Sequence, residues 1–177
     1  MSKHVAFLRG INVGGKTIKM DALRKMFEVL GYENVRTLLA SGNVIFESKT
    51  ASEDKLRAEI ETGIKKSFGH DVHVILRSEK EIQELVKSDP FKGVKVTPKT
   101  RLYITLLSES PKSNLKTPHK SMDGEYIIRE INNKYVVNVL GPQVGTPDVM
   151  DFLGKEFGNK ITTRNWNTMI KIHKAMG

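Results

Sequence analysis

A loop near the N-terminus brings three glycines and two cations together without an acid. It runs from Arg9 to Thr17 as Arg-Gly-Ile-Asn-Val-Gly-Gly-Lys-Thr, between an apolar run and an amphipathic stretch. Glycine-rich loops leave backbone N–H groups available, and neighbouring cations add the positive charge that an anion needs. We therefore predict an anion-binding site at this loop. Its candidate contacts are Arg9, Asn12, Gly14, Gly15 and Lys16.

The same loop formally matches the Walker A pattern of P-loop NTPases, with Gly10, four residues and then Gly15-Lys16-Thr17. In a P-loop the helix begins at the Gly-Lys-Thr, whereas residues 18–20 separate it from the helical periodicity here. The apolar runs of this chain also lack the terminal acid that holds Mg²⁺ in such enzymes. We therefore do not expect NTPase chemistry. A phosphate or carboxylate cradle without hydrolysis and a plain turn with a solvated lysine stay open as alternatives.

A second candidate motif lies near the C-terminus, in the run Thr162–Thr168. Three hydroxyls, an arginine and two amides crowd a helix that we predict to begin at about Arg164. A threonine could cap this helix and leave N–H groups facing an anion held by the arginine. The alternative is structural, with these side chains satisfying buried backbone and Trp166 anchoring the core. The candidate ligand contacts of this motif are Arg164, Asn165 and Asn167.

A tight turn is predicted at Ala40–Asn43, because small and polar residues there separate two strand-like runs. Such a sequence is most often only a turn. Hairpin tips can nevertheless lie near the end of the sheet that carries the first loop. We therefore add Ser41 and Asn43 to the candidate anion contacts.

The chain offers little for metal, nucleophilic or redox chemistry. It has no cysteine, which excludes disulfides, thiol catalysis and cysteine-ligated metals. His70 and His73 are three apart on or near a strand, so we expect their side chains on opposite faces of a sheet. We expect no cofactor, no metal site and no catalytic residue set.

The net charge of +9 is concentrated at the two ends of the 177-residue chain. Residues 1–50 carry eight lysines and arginines against four acids, and residues 151–177 carry five against two. This excess favours an anionic partner, either a phosphate-bearing small molecule or a nucleic acid, with solubility alone as the alternative.

No apolar run approaches the ~20 residues of a membrane span, and no secretory signal is evident. We expect a cytoplasmic protein without a membrane partner, and its oligomeric state stays open.

The first half of the chain reads as strand, helix, strand, strand, helix, strand. The continuous apolar run His4–Leu8 predicts a buried central strand, and apolar residues from Leu23 to Leu30 recur with helical spacing. Capping-box spacing at Thr50–Glu53 introduces a second helix. This order is that of a ferredoxin-like (alpha-beta plait) unit, an antiparallel sheet with two helices on one face.

The second half repeats that order less clearly. A capping box at Ser78–Glu81 opens a short extra helix, and a linker follows. A strand, a hairpin, a helix and a last short strand then succeed one another, although Ser110–Ser121 is poorly patterned where the first helix of a unit belongs. We predict an α+β protein of two ferredoxin-like units, residues 1–92 and 93–177, with a C-terminal helix.

Several of these motifs together resemble one known family. The combination resembles the signature of the domain of unknown function 1697 family, over essentially the whole chain. The residues that carry it are Arg9-Gly10-Ile11-Asn12-Val13-Gly14-Gly15-Lys16, Met20, Leu23, Ser41-Gly42-Asn43-Val44 and Thr163-Arg164-Asn165-Trp166-Asn167-Thr168. The resemblance implies two ferredoxin-like halves in a bacterial cytosolic protein, and it implies no activity. Thr17 is not part of that signature, which further weakens the NTPase interpretation.

Three functions are consistent with these observations. The leading hypothesis is an anion-binding protein whose two basic motifs converge on a phosphate-bearing metabolite, a nucleotide or a nucleic-acid backbone. The second is an enzyme that acts on a small phosphorylated or carboxylated substrate, where Lys16 and Arg164 stabilise negative charge; the absence of an evident general base counts against it. The third is a protein-interaction module without a small-molecule site, for which a dominant apolar surface patch would be the sign.

Overall fold

The computed structural model describes all 177 residues, which form two compact units. The first unit comprises Met1–Glu84 together with Lys171–Gly177, and the second comprises Leu85–Ile170. Compactness and independent folding are different properties, so the division into domains at residue 92 stays a prediction. None of the helices is long and apolar enough to cross a lipid bilayer.

The first unit is a ferredoxin-like sheet with two helices, as predicted. Its elements are β1 (Ser2–Leu8), α1 (Met20–Val29), β2 (Glu33–Leu38), β3 (Asn43–Ser48), α2 (Glu53–Phe68) and β4 (Val74–Ser78). The strands stand in the order β2-β3-β1-β4, and every neighbouring pair is antiparallel. This order follows from a hairpin between β2 and β3 and two helical crossovers.

The core of the first unit lies between this sheet and its two helices. Leu23 and Phe27 of α1 and Ile60 of α2 are fully buried in it. The helix α2 ends at Gly69, which adopts the left-handed conformation of a C-cap. The predicted capping box at Thr50–Glu53 places the N-cap wrongly, because the N-cap is Ser52 and not Thr50. The Oγ of Ser52 accepts the N–H of Lys55 at 3.5 Å.

The short helix α3 (Glu79–Lys87) begins with the predicted capping box. The N–H of Glu81 donates to Ser78 Oγ at 3.2 Å, and the N–H of Ser78 donates to Glu81 Oε2 at 2.9 Å. Two N–H groups that the helix itself cannot satisfy are therefore paired.

The second unit contains a five-stranded antiparallel sheet in the order β6-β7-β8-β5-β9. Its elements are β5 (Arg101–Leu107), β6 (His119–Lys120), β7 (Tyr126–Ile131), β8 (Tyr135–Leu140), α4 (Thr146–Phe157) and β9 (Ile161–Asn165). The last helix, α5 (Trp166–Met176), begins in this unit, and its residues from Lys171 onward belong to the first unit. The strands β7, β8, β5 and β9 keep the ferredoxin-like order, and β6 is an additional edge strand. Residues 108–118 form neither helix nor strand, in accord with their two prolines and missing periodicity.

A row of polar side chains crosses the second sheet, one from each of four strands. The phenol of Tyr126 donates to Asn138 Oδ1 at 2.7 Å, and Asn138 Nδ2 donates to Thr105 Oγ1 at 3.0 Å. The hydroxyls of Thr105 and Thr163 lie 2.8 Å apart. Burial raises the pKa of the Tyr126 phenol. Because buried polar atoms need partners, this polar row favours one strand register over a slipped one.

Candidate functional site

The predicted anion site in the first unit is a loop whose two ends are anchored and whose middle is exposed. We call residues 9–18 the glycine loop. Ile11 and Ile18 are 2% and 3% exposed and bury their side chains in the core of the unit. The N–H of Arg9 donates to the carbonyl of His73 at 3.0 Å. Residues 12–17 between these anchors are all exposed.

Asn12 shapes the glycine loop. Its Nδ2 donates to the carbonyls of Ile18 at 3.1 Å and Ala40 at 2.7 Å, and its Oδ1 accepts the N–H of Ile18 at 2.9 Å. Its φ of 56° is left-handed, a conformation that asparagine tolerates better than most residues. The amide is thereby committed to the loop, and a ligand contact by Asn12 stays a prediction.

The tip of the glycine loop presents unused hydrogen-bond donors. The N–H groups of Val13, Gly14 and Gly15 make no hydrogen bond within the protein. Gly14 and Gly15 have φ values of 64° and 109°, and a Cβ on either would meet nothing within 4 Å. Glycine is therefore favoured there by backbone conformation and not by lack of space.

Two cations flank these donors. Lys16 Nζ donates to the carbonyl of Asp71 at 2.8 Å, which fixes the ammonium group and leaves two of its N–H bonds for a ligand. The carboxylate of Asp71 is paired with Lys65 at 3.0 Å. The Arg9 side chain is half-buried, and its guanidinium makes no hydrogen bond or ion pair within the protein. The region is therefore rich in donors.

The turn at residues 39–42 packs directly against the glycine loop. Besides the bond from Asn12 to Ala40, the N–H of Leu8 donates to the carbonyl of Gly42 at 2.9 Å. A Cβ on Gly42 would lie 2.6 Å from Ile11 Cδ1, and its φ is 84°, so both space and conformation require glycine. The turn and the loop are therefore one structural region.

The two candidate contacts near that turn differ in exposure. Asn43 is fully buried, and its Nδ2 donates to the carbonyl of Leu38 at 2.7 Å and to Ser41 Oγ at 3.0 Å. Ser41 is exposed. The geometry gives Asn43 a part in closing the turn, and the predicted ligand contacts of both residues stay predictions.

The C-terminal motif is built differently from its prediction, because the helix begins at Trp166 and not at about Arg164. Arg164 belongs to β9, opposite Ile104 of β5. The β-branched residues 161–163 favour an extended backbone, and the strand continues past them. Arg164 is 7% exposed, and its Nη1 donates to Thr162 Oγ1 at 2.7 Å. Burial lowers the pKa of its guanidinium to about 10.

An asparagine, and not the predicted threonine, caps α5. Asn165 Oδ1 accepts the N–H of Thr168 at 2.8 Å and its hydroxyl at 3.0 Å. Asn165 and Asn167 are exposed and line a hollow of about 230 Å³. Trp166 lies between them and packs edge-on against Phe91, with ring centroids 5.2 Å apart. Its aromatic ring thus has the packing role that the structural alternative assigned to it.

The candidate contacts therefore form two groups. Within the first unit, the glycine loop and the turn that carries Ser41 share one surface region. Within the second unit, Asn165 and Asn167 share one hollow, whereas Arg164 is buried in the sheet. The two groups belong to different compact units, and their convergence on one ligand stays a prediction.

Sequence reasoning missed two larger hollows in the second unit. One of about 610 Å³ lies on the sheet face opposite α4, and one of about 380 Å³ lies between residues 107–112 and 156–161. Both are lined by segments that are distant along the chain. The isolated basic residues around the first, such as Lys95 and Lys120, gave no local pattern that would have revealed it. No group of three or more histidine, aspartate or glutamate side chains is placed to hold a metal ion.

The fold and these motifs define an α+β protein of two ferredoxin-like units with a glycine-rich first loop. Residues 1–133 match the family described as Protein of unknown function (DUF1697), and the chain belongs to that family. The resemblance drawn from the sequence motifs is thereby confirmed over residues 1–133, and the motif at Thr163–Thr168 lies beyond the matched residues.

Comparison with solved structures confirms the fold. The chain is similar to the conserved bacterial protein SP0830 from Streptococcus pneumoniae, with a TM-score of 0.72 and 21% sequence identity over 99% of each chain. At this identity the likeness establishes a shared fold alone. Among curated proteins, none matches this chain.

Proposed function

We propose that the protein binds a phosphate-bearing anion at the tip of the glycine loop. The observation that supports this proposal is the run of three N–H groups at Val13, Gly14 and Gly15 that have no acceptor within the protein. Successive N–H groups in a glycine-containing turn form a concave donor surface for an anion. Lys16 and Arg9 supply the charge that makes a phosphate preferable to a neutral acceptor.

The exposure of the loop limits what it can hold. Residues 12–17 are exposed, so the loop would grip the phosphate end of a ligand and leave the remainder outside. A nucleotide or a nucleic-acid backbone satisfies this requirement, because each presents a phosphate on a larger body. Contacts between exposed charges weaken as ionic strength rises, so binding should be salt-dependent.

The C-terminal motif enters the proposal as a second set of contacts. Asn165 and Asn167 offer exposed amides beside a hollow. Arg164 is paired with Thr162 and buried, so we assign it to ordering the strand before these amides.

Titration by NMR tests the proposal. Inorganic phosphate, ATP and a short single-stranded oligonucleotide are added in turn to labelled protein at low salt. We expect saturable shifts of the Val13, Gly14 and Gly15 amides. The shifts should be strongest for ATP or the oligonucleotide, which carry phosphate on a larger molecule. Lys16→Gln should weaken the response about tenfold, the loss expected for one charge-assisted contact.

Lys25→Gln is the matched control, because it removes another exposed cation, from α1 of the same unit. It should leave the affinity within about twofold of the parent protein. The proposal fails if no loop amide responds to any of the three probes. It also fails if the control weakens binding as much as the loop variant does.

A further inference from the structure

The second sheet carries a groove on the face that α4 does not cover. Tyr126 and Ile128 of β7 point into the core beneath α4, where they pack with Leu153. Since successive strand residues face opposite sides, Ile127 lies on the other face. A hollow of about 610 Å³ occupies this second face.

The floor and walls of the groove are aliphatic. Ile127 and Val139 of the adjacent strands β7 and β8 form its floor, and Val139 is 9% exposed. Val94 closes it from the linker side, and Pro118 closes it from the segment before β6. No aromatic ring lines the groove, so it offers no stacking surface for a nucleobase.

Three cations surround this apolar floor, and no acid lines the groove. Lys95 and Lys120 are exposed, and Arg129 is half-buried. The register of β7 against β8 shifts between Ile128 and Glu130, so Arg129 lies at a β-bulge. Bulges redirect a side chain relative to the regular pleat. Arg129 Nη2 donates to the carbonyl of Lys92 at 3.0 Å, which holds the guanidinium while its other N–H groups remain available.

From this combination we infer that the groove binds an amphiphilic anion, an aliphatic chain that ends in a carboxylate or a phosphate. The chain would lie on Ile127 and Val139, and the anionic head would sit among the three cations. The volume falls within the range of about 300–1,000 Å³ that small-molecule sites occupy. Three like charges around an apolar floor repel one another unless an anion joins them. This site is independent of the glycine loop and does not rest on the function proposed for it.

Calorimetric titration of the full chain tests the inference. The probes are decanoate and decyl phosphate, which share the chain and differ in the head, and decyltrimethylammonium, which reverses the charge. All are used below their micelle concentrations. We expect saturable 1:1 binding of at least one anion and no measurable binding of the cation. The stronger of the two anions identifies the head group.

Two variants locate the site. Lys95→Gln/Lys120→Gln should weaken anion binding at least about tenfold, because it removes two of the three cations. Lys99→Gln/Lys155→Gln removes two exposed cations that do not line the groove, and it should change the affinity less than about twofold. Methyl shifts of Ile127 and Val139 should accompany binding in the parent protein.

Three results would overturn the inference. The first is equal binding of the anionic and cationic probes, which would indicate unspecific apolar association. The second is an equal loss of affinity in the two double variants. The third is a response confined to the glycine loop with no shift at Ile127 or Val139, which would place the anion at the other site. Failure of phosphate and ATP to shift the loop amides would leave this inference intact.

Discussion

The two sheets share a strand order but are covered differently. In the first unit, α1 and α2 both pack on the sheet and supply fully buried residues to its core. In the second unit, α4 supplies the buried helical residues of the main core cluster, and residues 108–118 replace the other helix. Leu115 of that segment is only partly buried against the core.

This difference shows that strand order and helical cover are separable properties of the fold. The order depends on one hairpin and on the side to which each crossover returns, which an irregular segment can also achieve. The cover depends on apolar periodicity, which residues 108–118 lack because Pro111 and an uneven apolar spacing interrupt it. The unit with less helical cover is also the one that carries the three hollows described above.

The largest expected effect tests the difference in cover directly. Phe27→Ala removes a fully buried ring that packs against Tyr32 and Phe46, and it should lower the unfolding free energy by about 3–5 kcal/mol. Leu115→Ala, at the corresponding place in the second unit, should cost only about 1 kcal/mol because its site is partly exposed. Urea denaturation measures both. Val29→Ala is the control, since Val29 is 86% exposed on the same helix as Phe27. Equal losses for the first two variants would contradict the comparison.

The second prediction concerns the polar row of the second sheet. Asn138→Ala removes the partner of both Tyr126 and Thr105, and we expect a loss of about 1–3 kcal/mol because two buried polar groups lose a hydrogen bond. Asn133→Ala, in the exposed β7–β8 turn, should stay within about 0.5 kcal/mol of the parent protein. Thermal unfolding at constant pH compares them. A neutral Asn138→Ala would show that the row is dispensable for stability.

The third prediction concerns how stability depends on pH through a buried histidine of the first unit. His4 is 3% exposed in the first unit, neither of its ring nitrogens has a hydrogen-bond partner, and burial lowers its pKa although Glu81 acts in the opposite direction. The folded state therefore favours neutral histidine. The contribution of neutral His4 to the unfolding free energy is complete above the pKa of about 6.5 that the residue has in the unfolded chain. It is lost as the pH falls through the lower pKa of His4 in the folded protein. We expect the parent protein to lose more stability than His4→Leu between pH 7 and pH 5. Parallel pH dependence of the two proteins would argue against this assignment.

The smallest expected effects come from two glycines with opposite signs. Gly14→Ala places a Cβ at a φ of 64° in the glycine loop and should destabilise by about 1 kcal/mol. Gly154→Ala lies within α4, where a Cβ would meet nothing within 4 Å, and should stabilise by about 0.5–1 kcal/mol. Melting temperatures should therefore move in opposite directions. A shift of the same sign in both would contradict the conformational explanation.

Prediction from the sequence succeeded where local periodicity and capping dominate. The helix from Met20, the hairpin around Asn132 and the capping box at Ser78 all follow from nearest neighbours along the chain. The predicted start of the last helix at about Arg164 was wrong, because pairing of β9 with β5 extends the strand beyond its β-branched start. The resulting strand places the arginine at a buried position, which local sequence does not encode.

The sequence by itself determined the order of the elements in the first unit, the family and the glycine loop, because each depends on residues that are close along the chain. The tertiary structure alone decided that Asn12 ties that loop to Ala40, that His4 is buried without a partner, and that Lys95 and Arg129 share a groove. These features join segments that are distant in sequence. They depend on sheet pairing and side-chain packing, and neither leaves a periodic signal in any one segment.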